Sequence, residues 1–358
     1  MNAALKDSEI DVRMLHLSVN KDEEEESYYR NFVSQLQVQI KNTDRLIFHF
    51  NNIRNDKLVK LLRETFDCRI ITTVHCFKWG FYIFDNLSLL RNIMNGKRSD
   101  NFVENIKKTV EEEKSLFSMA DNIVCLSNYM HGILCRDYGF LSTKITVIPN
   151  GLSDKYNSTT DTQLLREKWK IPANERIILF AGRVDAIKGL EYLAKSFIKV
   201  LSAYPKSRLV IAGEGAFGHF IKESQNICTH ITYTGFLDKL QLYEWYQIAE
   251  IGVIPSLFES FGYVAVEMMM HELPVVVTAT SGLNEVVDES CGIKIPLTIK
   301  SDKVEIDTDL LAEKILYLLQ HPVEAKKMGQ NGRKRYLKEY SSEVFRKNMI
   351  KFYNSLYT

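Results

Sequence analysis

Between Ile251 and Glu285 the chain reads IGVIPSLFESFGYVAVEMMMHELPVVVTATSGLNE, and this stretch limits the fold more than any other. An apolar run (Ile251, Val253, Ile254) stopped by Pro255 and Ser256 reads as a buried strand. A short polar elbow, Glu259-Ser260-Phe261-Gly262, leads into a helix-like segment, Tyr263–His271. A second β-branched run, Pro274–Thr280, then ends at Ser281-Gly282. Strand, helix and strand at this spacing make a βαβ unit, with parallel strands and a right-handed crossover. Ligands of such sheets sit outside the carboxyl ends of the strands, near the first turn of the following helix. Glu259 through Tyr263 are therefore expected at a ligand site.

One residue of this unit is out of character. Glu267 interrupts Val264, Ala265, Val266, Met268, Met269 and Met270, a segment apolar nearly all round and so expected to be buried. A carboxylate there costs several kcal/mol unless it is hydrogen-bonded. Either it is a structural Glu held by a backbone amide or an Arg, or it accepts two hydroxyls from a ligand such as a ribose diol.

The same alternation runs through the rest of the chain. Strands are predicted at Asp11–Ser18, Leu46–Phe50, Ile70–His75, Ile123–Ser127 and Ile145–Ile148, with helices around Tyr28–Ile40, Phe84–Met94, Asn101–Ala120 and Tyr129–Tyr138. Ile148-Pro149-Asn150-Gly151 is a strand stop and tight turn, and the polar NSTTDT stretch after it reads as a linker. Beyond it come strands at Ile177–Ala181, Leu209–Gly215 and Ile231–Leu237, helices at Gly189–Leu201 and Leu240–Ile248, and the central unit. A last strand is predicted at Gly292–Pro296, then helices at Asp309–Gln320, Val323–Glu339 and Val344–Leu356. The class is α/β, with parallel sheets covered on both faces.

Composition sets the outer bounds. At 358 residues two domains are expected, 1–152 and 153–340, with 341–358 returning to the first. A net charge of +1 gives no electrostatic case for nucleic acid, and balanced charge over residues 1–150 makes membrane association weak. The chain has no long apolar run and no signal-peptide pattern, so a cytoplasmic location is expected. Six scattered cysteines without C-x-x-C spacing suit reduced, mostly buried thiols. Asp307-Thr308-Asp309 spells D-x-D, a metal-binding signature elsewhere, but it directly precedes a helix, where Asp and Thr are ordinary capping residues.

Two further places bear on chemistry. Gly182-Arg183-Val184-Asp185-Ala186-Ile187-Lys188-Gly189 follows a strand and puts Lys188 at the start of a predicted helix, where the macrodipole disfavours a cation. A bound diphosphate would reverse that penalty, and Arg183 could fork onto the same oxygens; otherwise both are solvated basic residues. His75 ends a strand, where a histidine is either structural or catalytic, and Lys78 and Trp79 follow on a loop that either grips a sugar or packs.

Taken together, E-x7-E (Glu259, Glu267) inside P-S-x-x-E-S-F-G, A-G-R-x4-K-G, the I-P-N-G joint, the strand-end His75 and the G-F-L turn resemble family-4 glycosyltransferases. These are retaining enzymes of the GT-B fold, two Rossmann-like domains facing a cleft. The resemblance implies transfer of a sugar from a UDP- or GDP-linked donor to a glycan, small-molecule or peptide acceptor, with no metal and no cofactor. It implies catalytic roles for His75, Arg183, Lys188 and Glu259. The donor would be held by Gly182, Gly213, Gly235, Phe236, Leu237, Phe261, Gly262, Tyr263 and Glu267, the first domain taking the acceptor. Two departures are visible: Ser281-Gly282 stands where relatives often carry Gly-Gly, and no G-x-G or G-G pair occurs before residue 150. The family's first strand and Gly-rich turn are thus missing, which reads as an N-terminally shortened domain rather than a lost strand. A nucleotide-sugar-binding pseudoenzyme, or a GT-B epimerase or phosphorylase, is the alternative reading.

Overall fold

The computed structural model describes residues 13–15, 25–40, 45–53, 55–96, 100–157 and 159–357. The predicted first strand, Asp11–Ser18, lies outside them except for Arg13–Leu15, which form no strand. The chain divides into two compact units: residues 1–79, 91–149 and 345–358, and residues 80–90 and 150–344. This differs from a simple division at 152, because the short segment Gly80–Leu90 packs with the second unit.

The first unit is built on a parallel sheet of four strands in the order β1 (Leu46–Phe50), β2 (Cys68–Val74), β3 (Asn122–Cys125) and β4 (Ile145–Val147). Helix Asp56–Thr65, an element beyond those the sequence predicts, starts at an Asn55 cap and buries Leu58, Val59 and Leu62. The C-terminal helix Ser342–Ser355 lays Met349, Phe352 and Tyr353, with Leu356 just beyond it, on Ile71, Val124 and Ile148. At about 1.5–3 kcal/mol per fully buried apolar side chain, that face is enough to fix the helix there. The Tyr353 hydroxyl meets His49 Nδ1 at 2.6 Å, and Thr73 Oγ1 meets its Nε2 at 2.7 Å.

The second unit holds six parallel strands in the order β10 (Gly292–Ile295), β9 (Val275–Thr278), β8 (Ile251–Ile254), β5 (Arg176–Ala181), β6 (Ser207–Ala212) and β7 (Ile231–Gly235). Its strands are apolar on both faces because helices cover both, and Ile178, Phe180, Leu209, Ile211 and Val253 are all buried in its core. The predicted last strand is not the last: an antiparallel hairpin, β11 (Leu297–Lys300) and β12 (Lys303–Ile306), follows β10. LTIK and KVEI alternate apolar and polar residues about Ser301-Asp302, the period-two signal of a short hairpin.

The helix expected around Phe84–Met94 spans Leu87–Met94, and a separate short helix, Gly80–Ile83, precedes it, the two parted where Phe84 adopts φ 54. Asp85 Oδ2 accepts from the Ser281 amide (2.9 Å) and the Thr280 hydroxyl (3.0 Å), and Asn86 donates to the Ser301 carbonyl at 2.8 Å. These bonds tie the segment to the turn after β9 and to the hairpin.

Candidate functional site

The strand order of the second unit dictates where a ligand site is expected. Connections run from β5 outward through β6 and β7 on one side, then jump back to β8 and run outward through β9 and β10. The reversal opens a crevice between the carboxyl ends of β5 and β8, the topological switch point at which open α/β sheets bind ligands. The loop after β5 (Gly182–Gly189) and the elbow after β8 (Pro255–Gly262) line it.

These two loops are locked together. The Leu257 amide donates to the Ile187 carbonyl at 2.7 Å. A Cβ on Gly189 would lie 1.9 Å from the Pro255 carbonyl oxygen, and its φ is 64, so the approach needs glycine twice over. Lys188 Nζ then reaches Glu259 Oε2 at 2.5 Å, with both side chains 21% exposed. The spacing predicts Lys188 at the start of helix Gly189–Leu201, and the observed helix begins one residue later. Lys188 ends a 3₁₀ turn, Ala186–Lys188, and the helix begins after the left-handed Gly189, at Leu190. The charge that holds Lys188 is Glu259.

Arg183 lies in the same loop but is not drawn into this pair. Its side chain is 68% exposed and faces Asp185 at 3.3 Å. The adjoining glycines are woven by backbone: Gly182 N donates to Ala212 O at 3.0 Å, Val184 pairs with Gly215, and Gly213 pairs with Gly235. The ends of β5, β6 and β7 are thereby held side by side. Phe236, just past β7, is exposed.

The elbow ends at Gly262, the N-cap of helix Tyr263–Met270, at φ 102 and without a side-chain cap. Its first-turn amides are thus not satisfied by a capping side chain, and the positive end of the helix faces the crevice. The elbow is braced from the turn after β9 by Gly282 N donating to Glu259 O at 3.0 Å.

Glu267, one helical turn further on, is 2% exposed. Its partners are neither a backbone amide nor an Arg: Lys239 Nζ bonds Oε1, and the Tyr246 hydroxyl donates to Oε2 at 3.0 Å. Both come from helix Lys239–Ile248, which Asp238 caps in a reciprocal box with Gln241. The Tyr243 and Tyr263 phenols are pushed up to about 12, first by burial and then by the charge of Glu267. Beneath, His271 Nδ1 bonds the Glu267 carbonyl at 2.8 Å, and burial pulls its pKa down to about 4. Lys239 and Tyr246 were missed from the sequence; the signal available was a lysine directly after a capping Asp.

His75 belongs to the first unit, at the end of β2, where burial lowers its pKa and Asn51 Oδ1 lies 3.5 Å from Nε2. Of the loop after it, Trp79 is fully buried and stacks on Phe77, whereas Lys78 is exposed. Buried Glu113 anchors that loop, accepting from the Lys78 amide (2.9 Å) and the Tyr138 hydroxyl (2.5 Å). Asp307 caps its helix, accepting from the amides of Asp309 (2.9 Å) and Leu310 (3.0 Å). Among the described residues no group of His, Cys, Asp and Glu could hold a metal ion, and no helix is long and apolar enough to cross a membrane.

A doubly wound parallel sheet with a cation–carboxylate pair across its switch point makes the second unit an open-sheet α/β domain, and the first unit is a parallel α/β sheet as well. Residues 161–335 match the model of "Glycosyl transferases group 1" and residues 3–156 that of "Glycosyltransferase Family 4". The chain belongs to the group 1 glycosyltransferases of family 4. A relative described as an uncharacterized glycosyltransferase of Methanocaldococcus jannaschii is 30% identical over 172 residues, covering 46% of this chain and 44% of that one. The chain spans about half the length of the curated relatives it matches. Among solved structures, sucrose-phosphate synthase from Thermosynechococcus elongatus aligns with a TM-score of 0.68 at 22% identity, covering 95% of this chain and 81% of that one. Anabaena HepE in complex with UDP aligns with a TM-score of 0.70 at 15% identity, covering 92% and 82%. At these identities the likeness is one of fold, the GT-B fold.

Proposed function

We propose that the chain is a glycosyltransferase that takes a sugar from a UDP- or GDP-linked donor held by its second unit. The observation that carries the reading is the Lys188–Glu259 bond across the crevice between β5 and β8. It sets a cation beside the uncapped N-terminus of helix Tyr263–Met270, two positive elements where a diphosphate needs them. The UDP named in the HepE structure supports a nucleotide donor.

In this reading Lys188 and the amides of Phe261, Gly262 and Tyr263 take up the negative charge that grows on the departing diphosphate. Glu259 holds Lys188 in place and exchanges it to the phosphate when donor binds. Arg183, exposed and joined to Asp185, has the freedom to swing onto the same oxygens. Glu267 accepts the ribose hydroxyls, and the turn Gly235-Phe236-Leu237, with Gly182 and Gly213, frames the nucleoside. Because side-chain cations and helix amides supply the positive field, the reaction is proposed to proceed without a metal. Retention of anomeric configuration and a contact between His75 and the transferred sugar are proposed on the family resemblance.

The test is a thermal-shift screen against UDP-, GDP- and ADP-linked sugars, followed by product analysis with EDTA present. A donor that stabilises the protein and is turned over with an acceptor is the expected result. Stabilisation by none of them, or turnover restored only by added metal, overturns the reading.

A further inference from the structure

We propose that Lys239 is a built-in competitor for the ribose subsite. In the ligand-free protein its ammonium occupies the Glu267 carboxylate that a nucleotide diol would take, so donor binding begins with its displacement. The inference rests on the donor-site reading above and concerns how that site is kept when empty.

A carboxylate as buried as Glu267 cannot be left without partners, since an unpaired buried charge is strongly destabilising. Its two oxygens are taken by partners of opposite character. Tyr246 is fully buried, fixed by packing and donates at 3.0 Å to Oε2. Lys239 bonds Oε1 from a side chain that is 65% exposed, so its head can return to water without moving anything else. Lys239 is also the first residue of helix Lys239–Ile248, where the positive end of the dipole disfavours an ammonium. Its flexible four-carbon stem and strong hydration favour release as soon as another donor reaches Glu267.

A vicinal diol brings two hydroxyl donors to the carboxylate, one onto the vacated Oε1, while the Tyr246 bond to Oε2 stays. The exchange is therefore one charge-assisted hydrogen bond lost for two hydroxyl bonds gained, and Glu267 is never unpaired. Nucleotides pay the displacement of Lys239; ligands without the diol do not reach it. Lys239 thus lowers affinity for any ribonucleotide and leaves binding of a diol-free analogue untouched.

The experiment is calorimetric titration at pH 8. UDP, GDP and ADP are titrated first, and the tightest is compared with its 2′,3′-dideoxy analogue on wild type, Lys239→Met and Lys239→Arg. Lys239→Met is expected to bind the ribonucleotide about tenfold more tightly than wild type, the worth of one charge-assisted hydrogen bond. Lys239→Arg, which keeps the charge, should match wild type, and the dideoxy analogue should bind all three equally. Lys239→Gln repeats the measurement should Lys239→Met not fold. Unchanged or weaker binding of the ribonucleotide to the neutral variants overturns the proposal while leaving the donor site standing. Binding of no nucleotide to any of the proteins overturns the donor-site reading, and the proposal with it.

Discussion

Replacing Lys188 by Met tests the site most directly. The ammonium is 2.5 Å from Glu259 Oε2, and each side chain keeps about a fifth of its surface in water. Losing it does two separable things. The fold loses a part-buried ion pair and leaves Glu259 with one bond fewer, a cost of about 1–3 kcal/mol that water at the crevice mouth reduces. Turnover loses one group opposing the charge that builds on the leaving diphosphate, which for a single such donor is about 100- to 1,000-fold in kcat, or about 2.7–4 kcal/mol. Initial rates of sugar transfer at saturating donor, taken well below the melting temperature, isolate the second effect from the first. Lys188→Arg restores charge but not reach, and is expected to fall between. Near wild-type turnover in a folded Lys188→Met protein would refute the assignment, and with it the idea that the switch-point crevice holds the diphosphate.

Other outcomes follow from the same geometry. Glu267→Gln removes the charge proposed to meet the diol, and nucleotide titration should report a loss of about tenfold or more, the two proteins binding a dideoxy analogue alike. Gly262→Val places a β-branched side chain at φ 102 with a Cβ 2.9 Å from Leu283 Cδ1, so denaturant melts should reveal a loss of at least about 1–3 kcal/mol; an unchanged midpoint would contradict the elbow geometry. His49 and His271, whose burial depresses them from 6.5 to about 4, take up protons more readily unfolded than folded. Stability should therefore fall as pH drops from about 6.5 toward 4, by up to about 3 kcal/mol per group, and level off below. Melts of His271→Gln across that range should have a shallower slope, and an identical slope would remove His271 from the account.

Much of this protein is legible along the chain. The βαβ stretch from Ile251 gives strand, elbow and helix in nearly the positions observed, because a strand buried on both faces and an apolar helix following a glycine are local statements about neighbouring residues. The motif residues sit on loops that follow strands, and strand ends are marked by Pro, Gly and polar runs. The misses are of another kind. The β11–β12 hairpin alternates apolar and polar residues and helix Asp56–Thr65 buries Leu58, Val59 and Leu62 on one face, but both are short, and the helix expected around Phe84–Met94 starts only at Leu87, after a positive φ at Phe84 that residue type does not announce.

What the sequence determined by itself is the alternation of parallel strands and helices, and the residue types at each strand end. The tertiary structure alone decided which strand ends are neighbours. That β8 lies beside β5, and not beside β7, brings Glu259 to Lys188 across 71 positions, and the helix after β7 brings Lys239 to Glu267 across 28. It also decided that Asp85 serves the turn after β9, some two hundred positions later in the chain. Periodicity is a property of adjacent residues, whereas sheet order is set by how whole faces bury one another; a charge finds its partner only after that burial is complete.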